Sequence, residues 1–355
     1  MVGLANQEII VREAVFADSP ALLKLQMACV QGRNLKLVAQ NSPDFFSRSL
    51  PCPNNKIYVA LYNGEIVGSA ACAVDTARCQ GQLQAVGYGF QFLTAPEYRG
   101  RGIARLLNHA IEEYLLSQDV SFYYMLISKD NHTSQKAMGK LGFKPFGGNI
   151  ATILLVRQPV SPAPNNIRQA TPADFQNIAR LLNSTWASYD LYQPVTSATL
   201  AEFVSRTSFN LNDLLVLEEA GELIACAAIW RWSDVTRQQV YSVSLPLKLI
   251  GLVLGLAGKI YPLPHLPKPG AYLRQWCLVY PGFTSVEHYH KLLYLVNNQA
   301  FAEGIEQIFV ADNASLAGLK GLWRTEAGVE VHFKYLKPFN TTLNAKPIYV
   351  SMLDL

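Results

Sequence analysis

A short segment near residue 100 has the residue types, in the order, that would bind an anion. From Phe90 to Ala104 the chain reads as an apolar strand, a turn at Pro96 and a helix start that contains Gly100 and Gly102. Glycine lacks the Cβ atom that would keep a ligand away from the main chain. The first N–H groups of a helix have no partner within it and lie at the positive end of its dipole. A diphosphate fits such a site, and the segment adds positive charge through Arg99, Arg101 and Arg105.

Two motifs around this segment resemble signatures of one enzyme family. The stretch Arg99-Gly-Arg-Gly102-Ile-Ala104 resembles the Arg/Gln-x-x-Gly-x-Gly/Ala motif with which the GNAT acyltransferase superfamily binds the pyrophosphate of acetyl-CoA. Further on, a strand-like run at 121–128 leads to Asn131, which opens a helix ending in Gly142-Phe143, and this resembles the second signature of the family. A dinucleotide site is excluded because no acidic residue ends a following strand at the expected distance. The resemblance implies that acetyl-CoA, or another acyl-CoA, is bound by Phe92, Leu93, Thr94, Arg99, Gly100, Arg101, Gly102, Ile103, Ala104, Arg105 and Asn131.

Composition excludes several other classes of protein. The 355 residues are half hydrophobic and 16% charged, enough for about two domains with cores of their own. A net charge of +4 with scattered basic residues gives no reason to expect nucleic-acid binding. The six cysteines form no Cys-x-x-Cys pair and no metal-ligand spacing is present, so we expect reduced core thiols and no metal. The start of the sequence lacks a basic head and an apolar stretch, which favours a cytoplasmic protein.

The chain repeats itself. The segment Val11–Asp18 matches Ile167–Asp174, and each begins a strand that leads to an apolar helix. The segment Ile57–Gly68 matches Leu214–Ala225, and both have the alternating pattern of a β-hairpin. Two matches at a nearly constant offset indicate a tandem duplication.

Residues 158–166 contain three prolines and are typical of a stiff linker. We therefore predict one domain over 1–158 and another over 166–355, the latter with an apolar insertion near 243–270. The family resemblance implies an α/β (α+β) fold with two tandem GNAT-type domains, each a mixed twisted sheet flanked by helices.

The second half keeps only part of the anion-binding pattern. Pro281 is expected at the position of Pro96, but the paired glycines and the arginines are gone, and Glu287 lies near the helix start. A diphosphate would meet Cβ atoms and negative charge there. This half is interpreted as a degenerate copy that supports the first domain and shapes the substrate cleft.

Acyl transfer to an amine needs a neutral amine, a stabilised thioester oxygen and a protonated leaving thiolate. In the family, N–H groups at a break in the fourth strand serve the oxygen; by position the break falls at Phe92-Leu93-Thr94, where pantetheine can add to the strand edge. Asn131 is expected to hydrogen-bond the cofactor, to cap its helix, or both.

The residues that would act as general acid and general base are less well defined. Tyr88 lies where some members of the family carry a catalytic glutamate, and Met138 lies where many carry the tyrosine that protonates the thiolate. Methionine cannot donate a proton. Three alternatives remain: Tyr88, Tyr123 or Tyr124 acts instead, water chains carry the proton, or the site binds CoA without ordinary N-acetylation. Of these tyrosines, Tyr88 is the candidate catalytic residue. His109 is expected to be a partly buried structural residue.

The segment 244–259 is apolar nearly all round but too short to span a bilayer. We expect it to be buried between the two domains or in a homodimer, with Gly251 and Gly255 allowing close approach of a second helix. A lid over an acyl chain, or contact with a membrane surface, is the less favoured interpretation.

These observations predict an acyl-CoA-dependent N-acyltransferase, first of all an N-acetyltransferase, that acts on a small-molecule or peptide amine bound between the domains. The alternatives are a non-catalytic acyl-CoA-binding or sensing module, which the departure at Met138 favours, and a transferase of longer acyl groups, which the apolar segment suggests.

Overall fold

The computed structural model describes residues 9–146, 150–160, 166–207, 209–257, 266–311, 314–338 and 347–355. Two seven-stranded sheets form its frame, and each mixes antiparallel pairs with one or more parallel neighbours. The fold class predicted from the sequence, mixed sheets flanked by helices, is confirmed.

The first sheet contains the segment that carries the GNAT-like motifs. In spatial order it consists of β1 (Ile10–Glu13), β3 (Asn55–Tyr62), β4 (Glu65–Cys79), β5 (Gln82–Thr94), β6 (Phe122–Ser128), β16 (Val329–Tyr335) and β7 (Lys144–Phe146). Strands β5 and β6 are parallel, and the other neighbours are antiparallel.

The second sheet has the same plan. Its order is β9 (Ile167–Gln169), β10 (Leu214–Glu219), β11 (Glu222–Trp230), β13 (Gln275–Phe283), β14 (Gln307–Ala311), β8 (Ala151–Leu155) and β15 (Trp323–Glu326). Here β13 and β14 are the parallel pair. Both predicted hairpins are present, turning at Asn63-Gly64 and at Ala220-Gly221.

The two halves of the chain exchange one strand each. Strand β16 belongs to the second half in sequence, yet it pairs with β6 and β7 of the first sheet. Strand β8 precedes the second half, yet it pairs with β14 and β15 of the second sheet. The sheets therefore do not divide at the predicted linker, of which residues 161–165 lie outside the described residues. The domain boundaries 1–158 and 166–355 stay a prediction.

Eight helices accompany the sheets in the described part of the chain: α1 (Ser19–Ala28), α2 (Ile103–Ser117), α3 (His132–Lys140), α4 (Phe175–Thr185), α5 (Ser197–Arg206), α6 (Trp232–Val235), α7 (Leu245–Ala257) and α8 (Val286–Ala302). Helix α2 shows why they form where they do. Its residues Ile103, Leu107, Ile111 and Leu115 recur every four positions and are all buried. That stripe fixes the helix against the first sheet and so sets where its N-terminus points.

The largest buried cluster joins both halves. It contains Leu22, Phe45 and Tyr124 from the first half, and Ile178 and Trp186 from the second. The free cysteines are all buried, as the sequence predicts: Cys29, Cys52, Cys72, Cys79, Cys226 and Cys277.

The apolar segment is not buried between the halves, contrary to the expectation. A separate two-stranded sheet pairs β2 (Leu35–Asn41) with β12 (Thr236–Val243), and α7 packs on it through Leu247. Among the described residues it is the side chain of Leu266, and not a second helix, that fills the space beside Gly251. Of the predicted apolar insertion near 243–270, residues 258–265 lie outside the described residues. None of the described helices is long and apolar enough to cross a membrane.

Candidate functional site

The turn between β5 and α2 has the backbone geometry that the sequence predicts. After a single 3-10 turn at Pro96–Tyr98, Gly100 and Gly102 have φ values of +80° and +81°. A Cβ atom built at either glycine would have no heavy atom within 4 Å. The backbone therefore favours glycine here, and the space beside it is open to a ligand.

The main-chain N–H groups of this turn are available. In the part of the chain that the structure describes, those from Gly100 to Ala104 have no hydrogen-bond partner. Gly102 is the N-cap of α2 and supplies no capping side chain. A diphosphate would satisfy these N–H groups and would lie at the positive end of the α2 dipole. The residues present therefore fit the nucleotide end of an acyl-CoA.

The three arginines flank the turn without closing it. Arg99, Arg101 and Arg105 are exposed. The Arg99 Nε donates to the main-chain oxygen of Thr94 at 3.3 Å, and the Arg101 guanidinium lies 5.1 Å from the centre of the Tyr98 ring. They add positive charge around the unpartnered N–H groups.

The edge of β5 next to this turn is open. Strands β5 and β6 pair only from Gly87 to Gly89, against Tyr123 to Met125. Beyond this point both continue, to Thr94 and Ser128, without pairing to each other. An extended ligand can therefore add to the free edge of β5 as a further strand would.

The break in β5 lies slightly earlier than the sequence predicts. Its register against β4 shifts between Ser69 and Ala71, so that Gln91 and Phe92 form a β-bulge, and Gln91 has φ of +52°. Leu93 and Thr94 are paired regularly with Ser69 and Gly68. A bulge needs an extra residue in one strand, and it re-aims the main chain locally. Of the predicted break residues, only Phe92 belongs to the bulge.

Asn131 caps its helix. Its side-chain oxygen accepts from the N–H of Ser134 at 3.1 Å, so the capping role is present in the structure. The cofactor contact predicted for Asn131 stays a prediction. Met138, on the same helix, is buried in the apolar core that α2 and α3 share.

The predicted catalytic residue Tyr88 lies in the buried layer between the halves. Its hydroxyl donates to the main-chain oxygen of Asp354, and Tyr124 donates to the Asp354 carboxylate at 2.9 Å. Burial raises the pKa of Tyr88 well above its ordinary value, so the hydroxyl stays protonated. Tyr88 is thus a hydrogen-bond donor, and its chemical role stays a prediction. The third candidate, Tyr123, faces α2 and donates to Asn108 and Glu112.

Close to Asp354 lies a cavity of about 320 Å³ that neither half could form alone. The first half contributes Asp75, and the second contributes Arg206 and several aromatic rings. The rings are those of Tyr192, Phe203, Tyr280 and Tyr349, and the further polar lining includes Glu202 and Ser351. An acceptor with a cationic group and an apolar body would find partners for both here.

Two carboxyl groups that line this cavity have pKa values above their ordinary range. Burial raises the pKa of Asp354 to about 7, against weaker opposing effects of the Tyr124 hydrogen bond and the Arg48 charge. Burial also raises the pKa of Asp75 to about 6, and the charge of Arg206 opposes it. Both groups therefore change protonation near neutral pH. This property suits a proton acceptor for an ammonium group.

The raised pKa of Asp354 predicts a particular pH dependence of stability. Between pH 4 and 7 the folded protein holds this proton more tightly than the unfolded chain does, so stability falls as pH rises through that window. Asp354→Asn, which mimics the protonated group, should remove a penalty on the order of 4 kcal/mol at pH 8. Urea unfolding of both proteins at pH 4 and pH 8 measures it. The two proteins should differ little at pH 4, and an equal difference at both pH values would contradict the assignment.

A buried arginine lies beside the same aspartate. Arg48 is 4% exposed, and one of its terminal nitrogens donates to the main-chain oxygen of Leu355 at 2.5 Å. The other terminal nitrogen has no partner among the described residues. The guanidinium lies between the rings of Phe90 and Trp232, at 5.5 and 5.1 Å from their centres. Phe90 directly precedes the bulge in β5. By contacting Phe90, Arg48 connects the open edge of β5 to the buried layer that contains Asp354.

The second half has the bulge but not the glycine-containing turn. Tyr280, with φ of +52°, occupies the bulge of β13 opposite Ala227. The strand then ends at Phe283, and Ser285 caps α8 by accepting from the N–H of His288. The Ser285 side chain therefore already occupies one of the N–H groups that an anion would contact there. The register also places Pro281 in the bulge and not in a turn after the strand, so it does not occupy the position of Pro96 as expected. That the half is a degenerate copy stays a prediction.

Sequence reasoning missed four residues of this site: Asp75, Asp354, Arg48 and Arg206. Their spacing follows no motif, since the fold brings them together from β4, the end of the described chain and two different turns or helices. The only signal available is that Asp75 interrupts an apolar strand. The expectation for His109 was also wrong: its side chain is 69% exposed, 3.6 Å from Glu113.

Comparison with known proteins agrees with the geometry of the first half. Residues 23–143 match the model of the acetyltransferase (GNAT) family. No curated protein sequence matches the chain.

Solved structures resemble the chain over almost its whole length. A GCN5-related N-acetyltransferase from Sphaerobacter thermophilus has a TM-score of 0.55 at 15% identity, with 96% of this chain and 99% of that one covered. The N-myristoyltransferase of Saccharomyces cerevisiae, solved with bound myristoyl-CoA, has a TM-score of 0.65 at 10% identity, covering 99% and 90%. At these identities the likeness concerns the fold. Residues 23–143 therefore form a domain of the acetyltransferase (GNAT) family, within a two-sheet fold similar to that of these acyltransferases.

Proposed function

We propose that the protein is an acyl-CoA-dependent N-acyltransferase that acts on a small-molecule or peptide amine. The observation that carries this proposal is the run of unpartnered N–H groups from Gly100 to Ala104, directly beside the open edge of β5. The first feature suits the diphosphate and the second suits the pantetheine arm of one and the same ligand. The proposal includes a location in the cytoplasm. It is compatible with either a monomer or a homodimer.

We place the reacting carbonyl of the acyl-CoA thioester at the bulge of β5. When bound, acyl-CoA supplies an activated thioester. The N–H groups of β5 near Gln91 and Phe92 face the unpaired side of the strand or are re-aimed by the bulge, so they are the candidates for holding the oxygen as charge develops on it. Removal of one such donor typically raises a barrier by about 2.7–4 kcal/mol.

The cavity between the halves is the proposed site of the amine. A C–N bond forms, a C–S bond breaks, the amine gives up protons, and the departing thiolate takes one. Asp75 and Asp354 line the cavity with raised pKa values, so either carboxylate can bind the ammonium form and accept its proton near neutral pH. Tyr88, which keeps its proton, is proposed to stabilise the thiolate side as a hydrogen-bond donor, and the proton that the thiolate takes comes from the amine.

The length of the acyl group is part of the same proposal. Acetyl-CoA is the first candidate, because the family model of residues 23–143 is that of an acetyltransferase. A longer chain is the second candidate, because the similar yeast structure contains myristoyl-CoA. Competition between acetyl-CoA, octanoyl-CoA and myristoyl-CoA for the same site ranks them directly.

A second candidate function is acyl-CoA binding without turnover. Two observations favour it: the Tyr88 hydroxyl is already bonded to a main-chain oxygen, and Met138 is buried where the family carries a proton donor. In that case the ligand would bind with normal affinity while no amine released thiol from it.

Two measurements test the proposal in sequence. Acetyl-CoA at a hundred times its dissociation constant should stabilise the protein by about 2.7 kcal/mol, which a rise in melting temperature reports. Thiol release is then followed over a panel of amino acids, polyamines and peptides with free N-termini. Stabilisation together with amine-dependent release supports the transferase. Stabilisation without release favours the binding module, and no stabilisation by any acyl-CoA would refute both.

A further inference from the structure

The outer side of α7 is an exposed aliphatic surface. Leu245, Leu249, Ile250, Leu252 and Val253 are each between 51% and 70% exposed. At 100° per residue they form one continuous arc, while the side chain of Leu247 and the space beside Gly251 lie on the opposite side, toward β12 and Leu266. The helix is therefore held to the protein by one face and offers an apolar face outward.

The chain around this arc carries positive charge only. Residues 235–286, which contain β12 and α7, include five Lys or Arg and no Asp or Glu. Residues 19–43, which contain the paired strand β2, include three more and again no acid. The rest of the chain must then be net negative, since the total is +4. Seven of these eight cations are described and exposed, and none of them has an ion pair among the described residues: Lys24, Arg33, Lys36, Arg237, Lys248, Lys268 and Arg274.

We propose that this surface, the α7 arc with its basic surroundings, docks on an anionic lipid bilayer. A helix of 13 residues cannot span the hydrocarbon core, but it can lie in the interface with its apolar face inserted. Each nearby Lys or Arg adds attraction to an anionic leaflet. A second copy of the chain is a poorer occupant, because pairing these faces would bring the same basic segments of two copies together. The proposal does not depend on acyl transfer.

Co-sedimentation of the full chain with lipid vesicles tests the proposal. The vesicles are either pure phosphatidylcholine or a mixture with 30% phosphatidylglycerol, on the order of what gives a strongly negative surface. We expect binding to the anionic vesicles that weakens when salt is raised from 0.05 to 0.5 M, and at least tenfold weaker binding to phosphatidylcholine. Absence of binding to the anionic vesicles would overturn the proposal.

A matched pair of variants separates the arc from general hydrophobicity. Leu249 and Leu83 are both 57% exposed, but Leu83 lies on β5, away from α7 in the chain. Leu249→Glu should weaken binding to anionic vesicles at least tenfold, and Leu83→Glu should leave it unchanged. Equal effects of the two variants would overturn the proposal. So would a dimer, detected by sedimentation velocity, that Leu249→Glu dissociates, because the occupant would then be a second copy.

Discussion

Gly102→Glu should abolish acyl-CoA binding, with a loss of at least a hundredfold in affinity. The substitution places a carboxylate beside the unpartnered N–H groups from Gly100 to Ala104, where we propose the diphosphate lies. The carboxylate would accept hydrogen bonds from those groups itself and would repel a phosphate. Titration calorimetry with acetyl-CoA, or the ligand-induced rise in melting temperature, measures the effect.

A control is needed because the substitution also strains the backbone. Gly221, in the hairpin of the second half, has φ of +82°, and a Cβ atom placed on it would have no heavy atom within 4 Å, just as at Gly102. Gly221→Glu therefore causes the same conformational cost far from the turn. It should lower the melting temperature about as much as Gly102→Glu while acetyl-CoA still binds normally. Wild-type affinity in Gly102→Glu would show that the ligand does not lie at this turn.

The turn could be predicted from the sequence because its determinants are local. A strand, a proline, two glycines and an apolar stripe with a period near four fix β5, the turn and α2 without help from distant residues. The same holds for the hairpins at Gly64 and Gly221. What these segments share is that the residues in contact are also neighbours in sequence.

The strand exchange could not be predicted in this way. Strand β8 is apolar and β16 alternates apolar with polar residues, so each could in principle complete the sheet of its own half. Which sheet they join depends on pairing partners that are far away in the sequence, such as Phe333 with Tyr124 and Phe309 with Ile153. Local patterns contain no information on that choice.

The acceptor cavity was missed for the same reason. Asp354 acquires its raised pKa only from the burial that the packed halves impose, and in an isolated peptide it would be an ordinary carboxylate. The position of α7 shows the converse limit: the helix is not buried between the halves, and its burial in a homodimer stays a prediction. Its composition predicts burial, but the two-stranded sheet beneath it is too small to cover more than one face. An apolar sequence fixes the requirement for a partner, not the identity of that partner.

Neutralising the cavity carboxylates should sharply reduce amine acylation while leaving acyl-CoA binding intact. We expect Asp354→Asn to lower kcat/KM for the amine about a hundredfold, because the variant loses a group that can bind an ammonium and accept its proton. Asp75→Asn should cost less, since the charge of Arg206 already keeps the pKa of Asp75 nearer its usual range. Steady-state thiol release as a function of amine concentration measures both.

The pH profile distinguishes a proton acceptor from a merely structural residue. In the parent protein kcat/KM should rise with pH through a pKa near 7, the range to which burial raises Asp354, and Asp354→Asn should lose that step. Loss of fold cannot explain the expected loss of activity, because the same variant should be more stable than its parent at pH 8. A variant that is more stable, binds acetyl-CoA normally and no longer acylates amines places Asp354 in the chemistry. Unchanged kcat/KM and an unchanged pH profile in this variant would show that Asp354 is not the proton acceptor. Asp75 would then be the candidate base.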